Sequence, residues 1–194
     1  MSATACTRLL RNTTRCACTP NGAVCRRVAT GPNNLFYPLM DDDALHDGSY
    51  DYAFWMETDA FPVQSGWLDR LLEESQSPRG FWRKGPTQRP LHTPALLGMV
   101  GPHHYHMNAV GWYRLGDPCY REYLRRVRRE HAEQPFDVSQ HRFLHDRAHF
   151  RIFQEWAHKF VYTDVLQNWI GEWSAVEVVA ASPNTVIVHG KERV

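Results

Sequence analysis

The sequence lacks the features that are typical of a membrane protein or of a nucleic-acid-binding protein. No run approaches the roughly 20 apolar residues that a transmembrane helix needs, and residues 1–30 contain no apolar region like that of a signal peptide. The formal net charge is only +1, because 22 Lys and Arg nearly balance 21 Asp and Glu. Charge therefore predicts neither a nucleic-acid partner nor a membrane partner.

The sequence also lacks a convincing zinc signature. A Cys-x-Cys pair without a matched second pair or histidine is a poor zinc motif. Asn12-Thr13-Thr14 reads as an N-glycosylation acceptor, and together with the clustered cysteines it hints at a secretory compartment, although such triplets also arise by chance. Four of the five cysteines lie in the first 25 residues, at Cys6, Cys16, Cys18 and Cys25.

The residues that are present fit one α/β domain. A chain of 194 residues, 43% of them hydrophobic, is long enough for a substantial core. Residues 1–30 are rich in Thr, Arg and Cys without apolar periodicity, so we expect an irregular segment there and a globular domain over residues 31–194. The seven Trp, eight Tyr and nine Phe suit core packing or stacking on sugar faces, and core packing is the better expectation for most of them.

Periodicity and turn chemistry predict the elements of the first half of this domain. Residues 35–40 form a short helix or strand between two loops. The aromatic run at 50–56 is typical of a strand that is buried on both faces. The spacing of Trp and Leu in WLDRLLEES, residues 67–75, predicts a short helix. Residues 78–91, which are rich in Arg, Gly and Pro, are expected to form a loop.

The second half continues the mixed order of helices and strands. We expect a strand at 96–100, a helical region at 139–158, and two short strands at 176–179 and 185–188. An amphipathic helix is expected at 118–130, with Pro118 at its start, arginines on one face, and an apolar face formed by Tyr120, Tyr123, Leu124 and Val127. This order predicts an α/β protein whose chemistry lies at strand ends and in loops.

The stretch FWMETDAFP, residues 54–62, ends the best predicted strand in two carboxylates. On an extended segment Glu57 and Asp59 lie on the same side, while Thr58 points away. Converging carboxylates repel each other unless a cation lies between them, and oxygen ligands at this spacing suit Mg²⁺ or Mn²⁺. An isolated acidic pair at a strand end is more often solvated, or caps a nearby group. Here the pair lies between a predicted aromatic strand and the Gly-Trp-Leu start of a predicted helix, and this longer pattern carries more information than the pair alone.

The same stretch resembles the metal-binding D-x-D region of GT-A-fold glycosyltransferases. It is most similar to a plant and algal group in which ME-x-D-x-x-P precedes a GWL helix. Three further segments resemble motifs of that group in the same order: 81–86 (FWRKGP) its aromatic-Lys-Gly loop, 106–113 (HMNAVGWY) its HINGNALY segment, and 188–191 (VHGK) its C-terminal His-Gly-Lys. The resemblance covers about residues 31–191.

The resemblance implies a GT-A-like mixed sheet flanked by helices. In GT-A proteins several βα units precede the D-x-D strand and bind the nucleotide. Only 56 residues precede Glu57, so the resemblance also implies that part of the N-terminal nucleotide-binding half is missing.

The resemblance further implies a set of site residues. Asp59 is the principal ligand of a Mn²⁺ (or Mg²⁺) ion, Glu57 replaces the first Asp of D-x-D, and His189 is the third ligand. The alternative for His189 is a strand-end histidine bonded to backbone.

The resemblance also implies substrate-binding residues. Ala109 and Val110 stand where the group has Gly and Asn, which puts one polar contact with the substrate in question. The implied substrate-binding residues are Lys84 in a lid-like loop, His106 and Asn108 beside the sugars, Trp112 or Trp82 stacked on a ring, and Lys191 at the diphosphate.

An inverting transferase also needs a carboxylate base within reach of the acceptor hydroxyl. Asp137 is the first candidate and Asp146 is the second, but Asp137 fits a helix cap or a first-turn acid equally well. His103, His104 and His106 form a compact cluster. Neighbouring histidines on an extended turn point in different directions, so we expect a solvated loop there rather than a metal site.

Two functions from different classes follow from these residues. The first is a metal-dependent glycosyltransferase that moves a sugar from a nucleotide-diphosphate donor to a hydroxyl of a glycan or protein, in the Golgi or secretory lumen by resemblance. The second is a catalytically inactive relative that binds a carbohydrate or a partner protein through the same cleft. A metal-dependent hydrolase is disfavoured, because it needs a denser set of His and Asp ligands.

Overall fold

The structure, a computed structural model, describes residues 31–86, 88–90 and 106–190. The α-helices in these ranges are α1 (Gly31–Asp41), α2 (Trp67–Ser75), α3 (Pro118–Glu130), α4 (Phe136–His145), α5 (Phe150–Trp156) and α6 (Ala175–Ala181). The strands are β1 (Tyr52–Trp55), β2 (Ala60–Pro62), β3 (Arg83–Gly85), β4 (Gln88–Pro90), β5 (Gly111–Arg114), β6 (Phe160–Tyr162), β7 (Leu166–Ile170) and β8 (Ile187–His189). The described residues do not include the segment 1–30, the predicted strand at 96–100, His103, His104 or Lys191.

These elements form an α/β protein, as the sequence predicts. Its strands form two mixed sheets, whereas the resemblance implies one. The more specific GT-A topology stays a prediction. The described residues divide into two compact units: the first contains 31–50 and 115–157, and the second contains 51–86, 88–90, 106–114 and 158–190. Within the described ranges, no helix has both the length and the apolar character that crossing a membrane requires.

Helix α3 of the first unit begins where the sequence predicts. The Asp117 carboxylate accepts hydrogen bonds from two backbone N–H groups of the first turn, and Pro118 occupies that turn, where a missing N–H is tolerated. Not all of the arginines face solvent: Arg126 is 1% exposed, and its buried guanidinium donates a 2.7 Å hydrogen bond to the Glu130 carboxylate. The predicted apolar face is buried, at Tyr120, Tyr123, Leu124 and Val127.

Aromatic packing between α1 and α4 builds much of the first unit's core. Phe36 stacks on Phe136 with ring centroids 3.9 Å apart. Residues 35–40 belong to α1, so they are helical rather than extended. The predicted helical region at 139–158 is confirmed. It is interrupted at Asp146, whose side chain caps a short 3₁₀ helix before α5.

The first sheet of the second unit has the strand order β1-β5-β3-β6. The prediction of a strand at 50–56 is confirmed by β1, which pairs antiparallel with β5. The expectation that this strand is buried on both faces is wrong: β1 is the end strand of its sheet and is half-buried along its length. Phe54 packs edge-to-face on Trp112 with centroids 4.9 Å apart.

Residues 78–91, predicted to be a loop, contain β3 in the first sheet and β4 in the second. The loop prediction is therefore wrong for 83–85 and 88–90, where Gly and Pro have other roles, and it is confirmed for 78–82. Gly85 allows two backbones to approach, since a Cβ there would lie 2.9 Å from the carbonyl oxygen of Val110. Pro90 lies in the end strand of its sheet, where a missing N–H is tolerated.

Lys84 lies in the middle of β3 and not in a lid-like loop, which corrects the position predicted for it. Its side chain is 4% exposed and pairs with the Glu74 carboxylate. The ammonium group also donates hydrogen bonds to the backbone carbonyl oxygens of Glu74 (2.9 Å) and Ser77 (2.6 Å). An ammonium group has three N–H donors, so these contacts use all of them.

The second sheet has the strand order β2-β8-β7-β4. Strand β8 pairs antiparallel with β2 and parallel with β7. It confirms the C-terminal half of the strand predicted at 185–188 and extends it to His189. The strand predicted at 176–179 is wrong, because this segment belongs to helix α6. Its β-branched valines favour a strand, but Ser174 and Glu177 form a capping box that starts a helix.

We expect Lys84→Met to lower the free energy of unfolding by about 3–5 kcal/mol, because it leaves the mostly buried Glu74 carboxylate without its main partner. Arg70→Ala is the matched control. It removes a 42%-exposed partner of the same carboxylate and should change the free energy of unfolding by about 1 kcal/mol or less. Chemical denaturation of both variants measures the difference. Equal losses would contradict the assignment of Lys84 as a structural ion-pair partner.

Candidate metal centre

Glu57 and Asp59 lie on a tight turn that connects the two sheets of the second unit. Strand β1 ends at Trp55, and the backbone N–H of Ala60 donates a 3.1 Å hydrogen bond to the carbonyl oxygen of Glu57. The extended segment that the sequence predicts here is therefore wrong. A turn carries the two carboxylates from a strand of one sheet to a strand of the other.

His189 reaches this turn because β8 pairs with β2. In their antiparallel register Ala60 lies opposite His189, and the backbone N–H of Gly190 donates a 3.1 Å hydrogen bond to the carbonyl oxygen of Asp59. Gly190 has a φ of 128°, and a Cβ there would lie 2.5 Å from the carbonyl oxygen of Trp169. Glycine is thus required next to the histidine by local backbone packing.

The three residues predicted to be metal ligands converge. Nε2 of His189 is 3.0 Å from Oε2 of Glu57 and 3.1 Å from Oδ1 of Asp59. One ligand atom from each residue lies within 4.8 Å of the other two. The side chains of His189 and Glu57 are 16% and 27% exposed, whereas that of Asp59 is 59% exposed. In the described part of the chain, this is the one cluster of His, Cys, Asp and Glu with metal-ligand spacing.

This donor set fits a divalent ion. Carboxylate oxygens suit Mg²⁺ and Mn²⁺, and imidazole suits transition metals, so the mixed set favours Mn²⁺. Two ligands at right angles around an ion, each about 2.1 Å from it, are about 3.0 Å apart. The two distances from His189 agree with that spacing. The exposed side of Asp59 leaves room for water and for oxygens of a substrate.

A proton on His189 is the alternative positive charge between the two carboxylates. Burial lowers the pKa of His189, but the hydrogen bond and negative charge of Glu57, together with the charge and hydrogen bond of Asp59, outweigh it and raise the pKa above 6.5. A proton and a metal ion compete for the same ring nitrogen. Metal affinity at this site should therefore increase with pH.

Asn168 also contacts the site, although it is not among the residues predicted from the sequence. It lies opposite His189 in the register of β7 and β8, and it is 5% exposed. Its Oδ1 is 2.7 Å from Nδ1 of His189. The sequence does contain a sign of this role. Gln167 and Asn168 interrupt an otherwise apolar run, and an amide that is buried in such a run needs a hydrogen-bond partner.

An open groove of about 1000 Å³ runs along β1 and α2 and includes Met56, the residue before the acidic turn. Leu68 and Leu72 of α2 also line it, and each is 62% exposed. Asp51 and Arg114, paired at 3.2 Å, add charge to the lining. The aromatic residues of the lining are Tyr52, Phe54, Trp67 and Trp112. A mostly apolar cleft with a few polar groups is the usual character of a small-molecule site.

The structure does not present the predicted stacking residues as free aromatic faces. Trp82 is 1% exposed and packs edge-to-face on Phe160. Trp112 is 3% exposed, and its ring lies 5.7 Å from the Lys84 ammonium. Both rings belong to the core, so stacking of either on a sugar would require a rearrangement, and this corrects the sequence-based expectation.

Asn108 closes a local turn. Its Oδ1 accepts a 3.2 Å hydrogen bond from the backbone N–H of Val110, and its carbonyl oxygen accepts one from the buried Arg83. His106 is half-buried beside it. Contact of either residue with a substrate stays a prediction, and Lys191 lies outside the described residues.

The two candidate bases belong to the first unit. Asp137 is 7% exposed in the first turn of α4 and accepts a 2.8 Å hydrogen bond from the backbone N–H of Val138. The first-turn alternative for Asp137 is therefore confirmed. Asp146 is exposed and accepts a 2.8 Å hydrogen bond from the N–H of Ala148. A catalytic role for either carboxylate stays a prediction.

Comparison of the chain with protein-family models, with curated proteins and with solved structures finds no match.

We expect the metal-free protein to show a His189 pKa above 6.5, and Glu57→Gln to lower it, because the variant removes the largest favourable contribution to the charged imidazole. The ion pairs should stabilise the fold fully below about pH 6.5, and this stabilisation should be lost as the pH rises through the raised pKa. NMR titration of the imidazole signals in a chelating buffer measures both effects, with His189→Gln identifying the signal.

Glu73→Gln is the control for this titration, since Glu73 is exposed and pairs with Arg70 on α2. It should leave the His189 pKa unchanged. A wild-type value at or below 6.5, or the same value in Glu57→Gln, would contradict the ion-pair geometry.

Proposed function

We propose that this chain is a metal-dependent glycosyltransferase that moves a sugar from a nucleotide-diphosphate donor to a hydroxyl of a glycan or protein acceptor. The observation that carries the proposal is the convergence of Glu57, Asp59 and His189. These residues come from two segments far apart in the sequence, and both segments contribute to the resemblance to GT-A glycosyltransferases. The same resemblance supports a Golgi or secretory location.

The proposed reaction assigns different tasks to the three ligands. The bond from the anomeric carbon to the diphosphate oxygen breaks, a bond to the acceptor oxygen forms, and the acceptor proton passes to a base. A divalent ion, when bound, neutralises the departing diphosphate. Glu57 and His189 are the more buried of the three side chains and would hold the ion. Asp59 is more exposed, so its side of the site remains open to diphosphate oxygens.

The groove along β1 and α2 supports a sugar-containing ligand. It begins at the residue next to Glu57 and combines aromatic rings with the charged pair of Asp51 and Arg114. Aromatic surfaces favour the apolar faces of sugars, and charged groups can hydrogen-bond hydroxyls. Met56, the residue before Glu57, is the lining residue that connects this groove to the acidic turn.

A carbohydrate-binding module without catalysis is the second candidate. One observation favours it: His189 forms ion pairs with both carboxylates, so the cluster can serve as a structural link at the ends of β2 and β8. In that case glycans would bind in the groove in the presence of a chelator, and metal ions would have no effect on binding.

We expect Mn²⁺ at about 100 times its Kd to stabilise the wild type by about 2.7 kcal/mol, which raises the melting temperature by several degrees. A nucleotide-diphosphate sugar should raise it further only when Mn²⁺ is present. Asp59→Asn should abolish both increments, because it removes a charged ligand. Thermal denaturation with a panel of nucleotide sugars measures these shifts.

Asp69→Asn is the control for this experiment, since Asp69 is an exposed acid in the first turn of α2 and is not a lining residue of the groove. It should respond to Mn²⁺ and to the donor like the wild type. If no donor shifts the melting temperature of the wild type in a metal-dependent way, the proposed activity of this chain is wrong.

A further inference from the structure

The second ring nitrogen of His189 has a defined partner. Nδ1 lies 2.7 Å from Oδ1 of Asn168, while Nε2 faces the carboxylates of Glu57 and Asp59. An amide oxygen only accepts hydrogen bonds, so the nitrogen that faces it carries the hydrogen. The lone pair that a metal ion needs is therefore on Nε2, the nitrogen nearest to the two carboxylates.

We propose that Asn168 is a positioning residue of the metal centre. Its amide oxygen holds Nδ1–H of His189 and so presents Nε2 to an ion that Glu57 and Asp59 also bind. This inference rests on the proposed function, because it concerns the same metal site. Hydrogen bonds of this kind fix the tautomer and ring orientation of a ligating histidine, and their loss typically lowers metal affinity about 10- to 100-fold.

The sheet holds Asn168 in this position. Strands β7 and β8 are parallel, and Asn168 is in register with His189. Because side chains at registered positions project from the same face of a sheet, the amide and the imidazole meet without a long reach. Asn168 is 5% exposed, so an unpaired amide oxygen there would be unfavourable. The hydrogen bond to His189 is thus within reach of Asn168, and it satisfies an amide oxygen that would otherwise be buried without a partner.

A buried polar network on the neighbouring residue stabilises this register. Gln167 donates a 2.6 Å hydrogen bond from Nε2 to Oγ1 of Thr185, and Thr185 donates a 2.8 Å hydrogen bond to the carbonyl oxygen of Asp164. Nε1 of Trp169 donates a 2.8 Å hydrogen bond to Oε1 of Gln167. The network ties β7 to the segment that leads into β8. A slip of one residue would break it and would also move Asn168 away from His189.

The amide of Asn168 is neutral, so it leaves the charge of the site unchanged. Two carboxylates and a neutral imidazole carry a charge that balances one divalent ion, and Asn168 adds none. A carboxylate in its place would still accept the hydrogen bond and would make the imidazole more basic. Asn168→Asp should therefore retain metal binding, whereas Asn168→Leu, of similar volume, should weaken it.

The test is Mn²⁺ binding by the full chain, measured by calorimetry and by electron paramagnetic resonance of free Mn²⁺. We expect Asn168→Leu to weaken binding about 10- to 100-fold and Asn168→Asp to bind at least as tightly as the wild type. Spin-echo modulation from the imidazole nitrogen should be present in the wild type and in Asn168→Asp and should be lost in Asn168→Leu. A purely structural role would not change this nitrogen signal.

Asn33→Leu is the matched control, because Asn33 is also a buried asparagine, 6% exposed, and donates a 2.8 Å hydrogen bond to the Gln134 carbonyl oxygen in the first unit. It should lower the melting temperature without changing Mn²⁺ affinity. Wild-type affinity in Asn168→Leu would overturn the role of Asn168 and leave the metal site intact. A loss of Mn²⁺ affinity in a folded Asn168→Asp variant would also overturn the role of Asn168. Failure of the wild type to bind Mn²⁺ would instead overturn the metal site itself, and with it both proposals.

Discussion

In the second unit, the contact of one imidazole with two carboxylates joins the acidic turn to the end of strand β8. Glu57 and Asp59 share one turn, and Nε2 of His189 lies 3.0 and 3.1 Å from their oxygens. A proton on the imidazole, favoured by the raised pKa of His189, places a positive charge between the carboxylates; a divalent ion in its place is the proposal made above. The pairing of β8 with β2 brings His189 to the turn, and the pairing of β8 with β7 brings Asn168 to His189.

The parts of the fold that the sequence predicts are those in which local signals agree. The aromatic run of β1, the spacing of α2 and Pro118 at the start of α3 each specify an element without reference to the rest of the chain. Within the candidate site, Glu57 and Asp59 are also visible locally, as two acids after an apolar strand. His189 differs, because only a resemblance to known motifs connects it with an acidic turn so far away in the sequence.

The parts that the sequence does not predict depend on neighbours from distant segments. Gly85 favours a loop when only the sequence is considered. In the structure, a Cβ at position 85 would lie 2.9 Å from the carbonyl oxygen of Val110, so glycine is needed there for packing. Lys84 is expected in a lid-like loop over the substrate, because the sequence does not reveal that the Glu74 carboxylate pairs with it inside the fold. Asn168 has the same difficulty: a polar residue in an apolar strand indicates that a partner exists, but only the strand register identifies that partner as His189.

The short strands β2 and β8 also determine which changes of chain length the site can tolerate. Each has three residues, and Ala60 is paired with His189 at the end of their ladder. Because side chains alternate between faces, deletion of one residue from either strand would turn the imidazole to the opposite side of the sheet while leaving most of the backbone pairing possible. In homologous proteins, insertions and deletions between the acidic turn and Pro62, or just before His189, would thus remove the ligand cluster without removing the fold.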